Sequence, residues 1–237
     1  MRVIAPITSA FVDIYAIFDD FALGDICIQF PPKHFCNAGT TNALRVMGSK
    51  AGIFTFLGDF AKMMAAFLVV WLIFGRQDPD SILLLKLYTG LGVVLGHDFP
   101  AFLKFHGGKG IAVTGSLFVL LDWRTGIVAF VLFVGILWFT YYASLASLLM
   151  VTIDSILFIV LVSAGIISRG VIRLPEVILL MCIIWLLAVI LHRENLKRLF
   201  KGTENKVFLA KYFERKDEKR VEKKEIRKEK REEKRHP

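Results

Sequence analysis

The sequence of 237 residues has few of the features that mark a metal centre, a disulfide framework or a common hydrolase. Its three cysteines, Cys27, Cys36 and Cys182, show neither a CxxC spacing nor a pairing pattern, so neither a zinc site nor a disulfide scaffold is indicated. The sequence contains no GxSxG elbow and no GxxxxGK[ST] loop, which argues against a serine hydrolase and a P-loop nucleotide site. No two histidines have the spacing of a metal-binding pair, and we predict neither a metal nor a cofactor.

Charged residues are scarce over long stretches of the chain, and these stretches are apolar. Hydrophobic residues make up 55% of the sequence and the mean hydropathy is +0.58, whereas soluble domains average about 45–50% apolar residues. About 20 apolar residues are needed to cross the roughly 30 Å of hydrocarbon in a bilayer. The candidate spans are Ile53–Phe74, Ser81–His97, Ile111–Leu121, Thr125–Tyr141, Ser147–Ile166 and Pro175–Leu191.

Two segments fit this pattern less well. Residues 1–24 are apolar in outline but carry Asp13, Asp19 and Asp20, and we expect them to form a weak first helix. The segment Ile111–Leu121 has only 11 residues, or roughly 16 Å of helix, so the bilayer would thin around it or its neighbours would supply extra turns. We therefore predict an all-α, polytopic membrane protein with about seven transmembrane helices.

The net charge of +9 is concentrated at one end of the chain. Residues 201–237 hold 15 Lys and Arg against 9 Asp and Glu, a surplus of six positive charges. Basic residues that follow an apolar span mark the cytoplasmic face, so we predict a cytoplasmic C-terminus and an N-terminus outside. We divide the chain into a membrane domain, residues 1–207, and a charged tail, residues 208–237. The tail is expected to be helical or disordered and to contact lipid rather than nucleic acid.

The predicted topology places the polar segments on one side of the membrane. The loops on the side of the tail are residues 24–52, 98–110, 142–146 and 192–237. The segments rich in Asn, Gly, Thr, Ser, His and Lys all fall in these loops. We therefore predict that they form one site.

The first polar segment runs from Asn37 to Arg45 (NAGTTNALR). Small residues let backbone amides approach an anion closely, and Thr and Asn side chains add hydrogen-bond partners. Arg45 would supply a planar, bidentate partner for a phosphate. A solvated loop with Arg45 at the lipid headgroups is the alternative interpretation.

The second polar segment combines residues 96–100 (GHDFP) with residues 105–110 (FHGGKG), directly before the helix that begins at Ile111. Glycines and a lysine at a helix start form an anion cradle, because free amides and the positive end of the helix dipole point at the phosphate. The alternatives are a tight turn with Lys109 at the headgroups and a packing role for His97.

Three further features are ambiguous when taken alone. Residues 142–147 (YASLAS) fit close packing between helices, and residues 192–195 (HREN) fit a charged end to the last span. Asp59 and Lys62 lie three residues apart inside a span and so share a helix face. They are either paired with each other or contact a substrate.

In combination, these segments resemble the bacterial acyl-phosphate:glycerol-3-phosphate acyltransferase family, PlsY. The matching pieces are, in the family's order, NAGTTNALRVMGSKAG, DFAK, GHDFPAFLKFHGGKGIAVT, YASLAS and HREN, within residues 37–207. The resemblance implies seven transmembrane helices in the bacterial inner membrane and an active site that faces the cytoplasm. It also implies acyl transfer from acyl phosphate to the sn-1 hydroxyl of glycerol 3-phosphate, which gives lysophosphatidic acid and phosphate. The HxxxxD arrangement of conventional His-Asp acyltransferases is absent, which fits a donor other than acyl-CoA.

The resemblance further implies roles for individual residues. The candidate catalytic residues are Arg45, His97 and Lys109, of which Arg45 and Lys109 would hold the glycerol phosphate and His97 would orient a substrate. The candidate substrate- and phosphate-binding residues are Asn37, Gly39, Thr41, Asn42, Lys62, Gly107, Gly108, Gly110, Ser144, His192 and Asn195. Positioning and charge stabilisation can drive such a transfer without a covalent enzyme intermediate. The expected partners are acyl phosphate, glycerol 3-phosphate and membrane lipid.

The sequence departs from the family pattern at a few positions. The family has Gly-Ser-Gly-Asn where this chain has His34-Phe35-Cys36-Asn37, and it usually has glycine where Met63 follows DFAK. The acid-rich first helix is also atypical. A catalytically impaired homologue that still binds phosphate ligands is therefore an alternative. A small membrane transporter is another, although the chain has no internal repeat and no ladder of intramembrane charges.

Overall fold

The structure is a computed structural model, and it describes residues 39–75, 81–101, 104–105, 107–167 and 173–207, except for the side chains of residues 45–47. The described residues form helices joined by turns and short connections. In chain order the helices are α1 Thr40–Met47, α2 Ser49–Phe74, α3 Ile82–Asp98, α4 Ile111–Leu121, α5 Trp123–Thr140, α6 Ala143–Ser163, α7 Leu174–Leu191 and α8 Arg193–Phe200. The predicted first helix at residues 1–24 and the tail at residues 208–237 lie outside the described residues.

The helices confirm the all-α membrane architecture predicted from the apolar runs. Four of them are long and apolar enough to cross a bilayer, namely α2, α5, α6 and α7. Helix α3 has 17 residues and α4 has 11, so both are shorter than the roughly 20 residues of an unaided crossing. Each predicted span from residue 53 onward is helical, and α2 and α6 each begin four residues earlier than the sequence indicated.

Large apolar side chains cover the outside of the bundle. Phe139 is 84% exposed, Phe54 is 74% exposed and Phe130 is 68% exposed. Such exposure would be unfavourable in water but suits contact with lipid tails. Several polar side chains, including Asp59, His97 and Ser144, are buried inside the bundle instead. This distribution is typical of a membrane protein whose polar groups face a site between the helices.

The short helix α4 lies at the centre of the bundle, where it packs against α2, α3, α5 and α6. Val113, Leu117 and Phe118 of α4 are fully buried. The gap at its far end is closed by a one-residue turn at Asp122, whose side chain caps α5 by accepting a hydrogen bond from the Arg124 amide at 2.9 Å. Helix α4 is therefore surrounded by protein over much of its surface. Because little of it faces lipid, its 11 residues do not have to span the bilayer alone.

The polar connections meet at one end of the bundle, as the sequence predicted. The amide of Val207 donates a hydrogen bond to the carbonyl of Tyr141 at 2.9 Å, which joins the chain after α8 to the connection between α5 and α6. Lys109, just before α4, contacts Asn195 of α8. Three separate connections thus converge, and we call this end of the bundle the polar end.

Candidate active site

A cluster of hydrogen bonds centred on Glu204 occupies the polar end. Oε1 of Glu204 accepts from Oγ of Ser144 at 2.8 Å and from Nδ2 of Asn195 at 2.6 Å. Oε2 accepts from Nε of Arg198 at 2.7 Å. The Nζ of Lys109 donates to Oδ1 of Asn195. These five residues form what we call the Glu204 cluster, and it contains three of the predicted site residues.

The carboxylate of Glu204 is stabilised by its surroundings. Burial acts to raise the pKa of Glu204, but the hydrogen bonds from Asn195, Arg198 and Ser144 outweigh it and hold the pKa below its ordinary value. The group also bonds to the first turn of α6, where the positive end of a helix dipole favours an anion. Glu204 therefore stays ionised at neutral pH, and its charge offsets those of Arg198 and the neighbouring Lys109.

The glycine loop, residues 107–110, is held tightly against the end of α3. The amide of Gly107 donates to the carbonyl of Asp98 at 3.1 Å, and the amide of Gly108 donates to the carbonyl of His97 at 3.2 Å. A Cβ at position 107 would lie 2.1 Å from the His97 carbonyl oxygen. Gly110 has a φ of +64°, and a Cβ there would lie 2.6 Å from Oδ1 of Asp98. A side chain at position 107 would require a shift of the backbone, whereas at position 110 it would be strained by the positive φ and would displace the side chain of Asp98.

The anion-binding capacity of this loop lies at the beginning of α4. The first hydrogen bond of α4 runs from the Thr114 amide to the Gly110 carbonyl at 2.7 Å, so the amides of residues 111–113 precede the helical ladder. These amides and the positive end of the dipole are the groups that a phosphate would use. The amides of Gly107 and Gly108 bond to carbonyls at the end of α3 in this structure. Their predicted role as phosphate donors stays a prediction.

A second polar cluster lies between α2 and α3. Oδ1 of Asp59 is 3.1 Å from Nζ of Lys62 and 3.4 Å from Nδ1 of His97. The three side chains are almost fully buried. The structure thus places Lys62 and His97 together, and it links them to the glycine loop through the backbone of His97.

His192 is a buried, neutral histidine at the end of α7. Its Nδ1 lies 2.8 Å from the Ala188 carbonyl. Burial is the main cause that lowers the pKa of His192 to about 4, and the charge of Lys109 acts in the same direction. Since a carbonyl only accepts, Nδ1 carries the proton and Nε2 is an acceptor. This ring suits a hydroxyl group better than a phosphate oxygen.

The segment around residues 37–45 is described in part. Asn37 and the side chain of Arg45 lie outside the described part of the chain, and their predicted roles stay predictions. Gly39 precedes α1, and its carbonyl accepts from the amide of Asn42 at 3.0 Å. Thr41 is exposed and Asn42 is half-buried. Helix α1 packs on α2, so this segment lies beside the helix that carries Asp59 and Lys62.

Three residues of the site, Glu204, Arg198 and Asp98, were not predicted from the sequence. Glu204 and Arg198 follow the last span in a stretch dominated by charges, where no spacing distinguishes them from solvated residues. Asp98 is 3% exposed, and neither of its carboxylate oxygens has a hydrogen-bond partner among the described residues. The available signal was proximity in sequence, because Asp98 follows His97 and Glu204 follows Asn195 by nine residues.

The chemistry of the polar end is that of an anion site. It offers a lysine, an arginine, amides at the beginning of α4 and neutral hydrogen-bond partners. Over the described ranges, no group of three or more His, Cys, Asp or Glu side chains is placed to hold a metal ion. The lysine, the arginine and the amides at the start of α4 are groups that can stabilise phosphate and developing negative charge.

Comparison with known proteins points to one family. A family profile described as "Glycerol-3-phosphate acyltransferase" matches residues 33–202. The glycerol-3-phosphate acyltransferase of Thermotoga petrophila is 37% identical over 175 residues, which cover 74% of this chain and 81% of the relative. The protein of the same description from Alkaliphilus metalliredigens is 37% identical over 171 residues, which cover 72% of this chain and 78% of the relative.

Solved structures agree with the sequence comparison. The crystal structure of PlsY (YgiH), an integral membrane glycerol 3-phosphate acyltransferase, in its glycerol 3-phosphate form is 27% identical. It superposes with a TM-score of 0.68 and covers 87% of this chain and 98% of its own. The lysophosphatidic acid form of PlsY is 28% identical with a TM-score of 0.66. This chain belongs to the glycerol-3-phosphate acyltransferase family.

Proposed function

We propose that this protein transfers a fatty acyl group from acyl phosphate to the sn-1 hydroxyl of glycerol 3-phosphate. The products are lysophosphatidic acid and phosphate, so the reaction belongs to phospholipid biosynthesis. The observation that carries this proposal is the Glu204 cluster at the polar end. In it, Lys109 at the start of α4 meets Ser144 at the start of α6 and Asn195 of α8.

The site suits two phosphate-bearing substrates. Helices α4 and α6 both begin at the polar end, and the N-terminus of each favours negative charge. Lys109 contributes a cation beside the first of them. An ammonium group has three N–H donors, so its contact with Asn195 is compatible with phosphate binding. Glu204 holds Asn195 on the side away from Lys109 and thereby orients the amide oxygen towards the lysine.

The reaction needs orientation of the nucleophile and stabilisation of the leaving group. The glycerol hydroxyl forms the new C–O bond at the acyl carbonyl while the bond between that carbon and the phosphate oxygen breaks. Phosphate leaves with the electron pair of the broken bond and takes up the proton that the hydroxyl loses. Nε2 of His192 would accept a hydrogen bond from the hydroxyl and so orient it. Lys109 would hold the phosphate of glycerol 3-phosphate, and the amides at the start of α4 would stabilise the negative charge that develops on the leaving phosphate. Neither step needs a covalent bond to the protein.

The orientation in the membrane follows from the charges near the polar end. The chain after α7 carries most of the surplus positive charge, and basic residues next to a span favour the cytoplasm. We infer that the polar end faces the cytoplasm of a bacterial cell. Glycerol 3-phosphate is water-soluble, and from the cytoplasm it would reach the site without crossing the bilayer. A seven-helix topology, with the N-terminus outside, would complete the arrangement.

A catalytically impaired homologue remains the second candidate, and it rests on Phe35 and Cys36. A phenylalanine in place of the family's serine removes a hydroxyl, and the loss of one transition-state hydrogen bond costs about 10²–10³ in rate. Both residues lie outside the described part of the chain. Met63, the third departure, is fully buried among apolar side chains, so the bundle accommodates it.

The two candidates differ in turnover. Purified protein in lipid vesicles would be given acyl phosphate and glycerol 3-phosphate, and phosphate release would be followed. An active enzyme exceeds protein-free vesicles and depends on both substrates, and acyl-CoA does not replace acyl phosphate. The double variant Phe35→Ser, Cys36→Gly raises the rate if these residues impair catalysis. Background rates in the wild type with a gain in the double variant would establish the impaired homologue.

A further inference from the structure

Asp59 bridges two helices through a single carboxylate oxygen. Oδ1 lies 3.1 Å from Nζ of Lys62 on α2 and 3.4 Å from Nδ1 of His97 on α3. The exposed fractions of the side chains are 4% for Asp59, 10% for Lys62 and 4% for His97. Oδ2 of Asp59 has no hydrogen-bond partner among the described residues. The buried cluster is thus organised around one atom.

The same histidine holds the glycine loop by its backbone. The carbonyl of His97 accepts a hydrogen bond from the Gly108 amide at 3.2 Å. The carbonyl of Asp98 accepts one from the Gly107 amide at 3.1 Å. Lys109 follows Gly108 directly. His97 thus contacts α2 through its side chain and the glycine loop through its backbone. Because Asp59 holds the side chain of His97, it helps to fix the end of α3 to which the loop that carries Lys109 is bonded.

The carboxylate also determines the protonation of the ring. An ionised carboxylate has acceptors only, so Nδ1 of His97 must carry the hydrogen that points to Asp59. In a neutral imidazole this leaves Nε2 as the acceptor. Carboxylates that bond to a histidine in this way fix its tautomer and its orientation in other binding sites.

We propose that Asp59 is a positioning residue for acyl transfer, which orients His97 and through it the loop that carries Lys109. The inference rests on the proposed function, because the loop is taken to bind the phosphate of glycerol 3-phosphate. The rival explanation is that Asp59 only neutralises the buried charge of Lys62. The proposal predicts that the effect of Asp59 on KM depends on His97, whereas the rival explanation predicts that it depends on Lys62.

The first experiment is a double-mutant cycle between Asp59 and His97. The KM for glycerol 3-phosphate and the melting temperature are measured for wild type, Asp59→Asn, His97→Gln and the double variant. Asp59→Asn should raise KM about ten-fold or more, the effect of losing one charge-assisted hydrogen bond. In the His97→Gln background the same change should have no further effect, because residues that act through one another are not additive.

A second cycle tests the rival explanation. If Asp59 acts only as the counterion of Lys62, its effect on KM disappears in a Lys62→Met background and persists in the His97→Gln background, which would overturn the proposal. An unchanged KM in Asp59→Asn would also overturn it. Asp154→Asn is the matched control, because Asp154 is a fully buried aspartate of α6 that lies outside both clusters. It should leave KM unchanged.

A measurement on the wild type decides the question if Asp59→Asn does not fold. Nitrogen-15 NMR of protein labelled at its five histidines reports the tautomer of each ring, and the His97→Gln spectrum assigns the signal of His97. The proposal requires the Nδ1–H form. The Nε2–H form would contradict it. Absence of acyl transfer by the wild type would instead refute the proposed function and leave this contact to be judged by the NMR result alone.

Discussion

Ser144 donates a hydrogen bond from Oγ to Oε1 of Glu204 at 2.8 Å, and this contact ties the first turn of α6 to a segment 60 residues later. The same oxygen of Glu204 accepts from Asn195, which in turn contacts Lys109. With the bond from Arg198, the carboxylate of Glu204 accepts hydrogen bonds from three different side chains, so it fixes their positions relative to one another. Glu204 is therefore the residue on which the geometry of the polar end depends.

Replacement of Glu204 by alanine should destabilise the protein and reduce its activity. The change leaves the donors of Ser144, Asn195 and Arg198 without their acceptor, and the free energy of unfolding should fall by roughly 2–4 kcal/mol. The matched control is Glu194→Ala, because Glu194 bonds to Lys197 at 2.9 Å but its side chain is 58% exposed. An exposed pair contributes about 0–1 kcal/mol. Equal losses of thermal stability in the two variants would contradict the central role of Glu204.

Alanine at Gly107 or Gly110 should impair substrate binding. The new Cβ would lie 2.1 Å from the His97 carbonyl at position 107, and it would face Asp98 at a φ of +64° at position 110. Either change displaces the loop that carries Lys109, so KM for glycerol 3-phosphate should rise at least ten-fold, about the size of one lost charge-assisted bond.

Gly115→Ala provides the control for these two variants. Gly115 lies inside α4, and its Cβ would meet only the end of Met150, at 4.0 Å. Alanine in a helix interior is favoured over glycine by roughly 0.5–1 kcal/mol, so the melting temperature should rise slightly and KM should not change. A loss of substrate binding in Gly115→Ala as large as that in Gly107→Ala would contradict the steric argument.

The stability of the protein should fall as the pH drops from about 6.5 to about 4. Burial lowers the pKa of His192 to about 4 from an ordinary value of 6.5. Over that range the unfolded chain takes up a proton at this position and the folded chain does not, so acid favours unfolding. Above pH 6.5 the contribution no longer changes.

The variant His192→Gln isolates this effect. Other groups whose protonation changes over this range are present in both proteins, so the difference between the two melting curves reports His192. The decrease in melting temperature between pH 6.5 and pH 4 should be smaller in the variant. Identical slopes would show that His192 is protonated in the folded protein.

The sequence predicted the helices of the bundle well, because lipid imposes a simple requirement of length and hydropathy on each span. It also predicted that the polar connections meet at one end, since loops alternate between the two sides of a membrane. Lys109, Ser144 and Asn195 of the Glu204 cluster were predicted as site residues, but Glu204, Arg198 and the contacts within the cluster were not. These contacts join residues up to 86 positions apart and follow no local period. The link from Asp59 to His97 was missed for the same reason, as the obvious partner of Asp59 was the lysine three residues along the same helix.

The formation of lysophosphatidic acid is the direct test of the proposed acyl transfer. Vesicles that contain the wild type, Lys109→Ala or Arg45→Ala would be given acyl phosphate and radiolabelled glycerol 3-phosphate, and the labelled lipid would be separated and counted. The wild type should form labelled lysophosphatidic acid, and the rate should be lower by about 10²–10³ in Lys109→Ala, as expected for the loss of a charged group that acts in the transition state. Equal amounts of labelled lipid in all three proteins, or none above protein-free vesicles in the wild type, would contradict it.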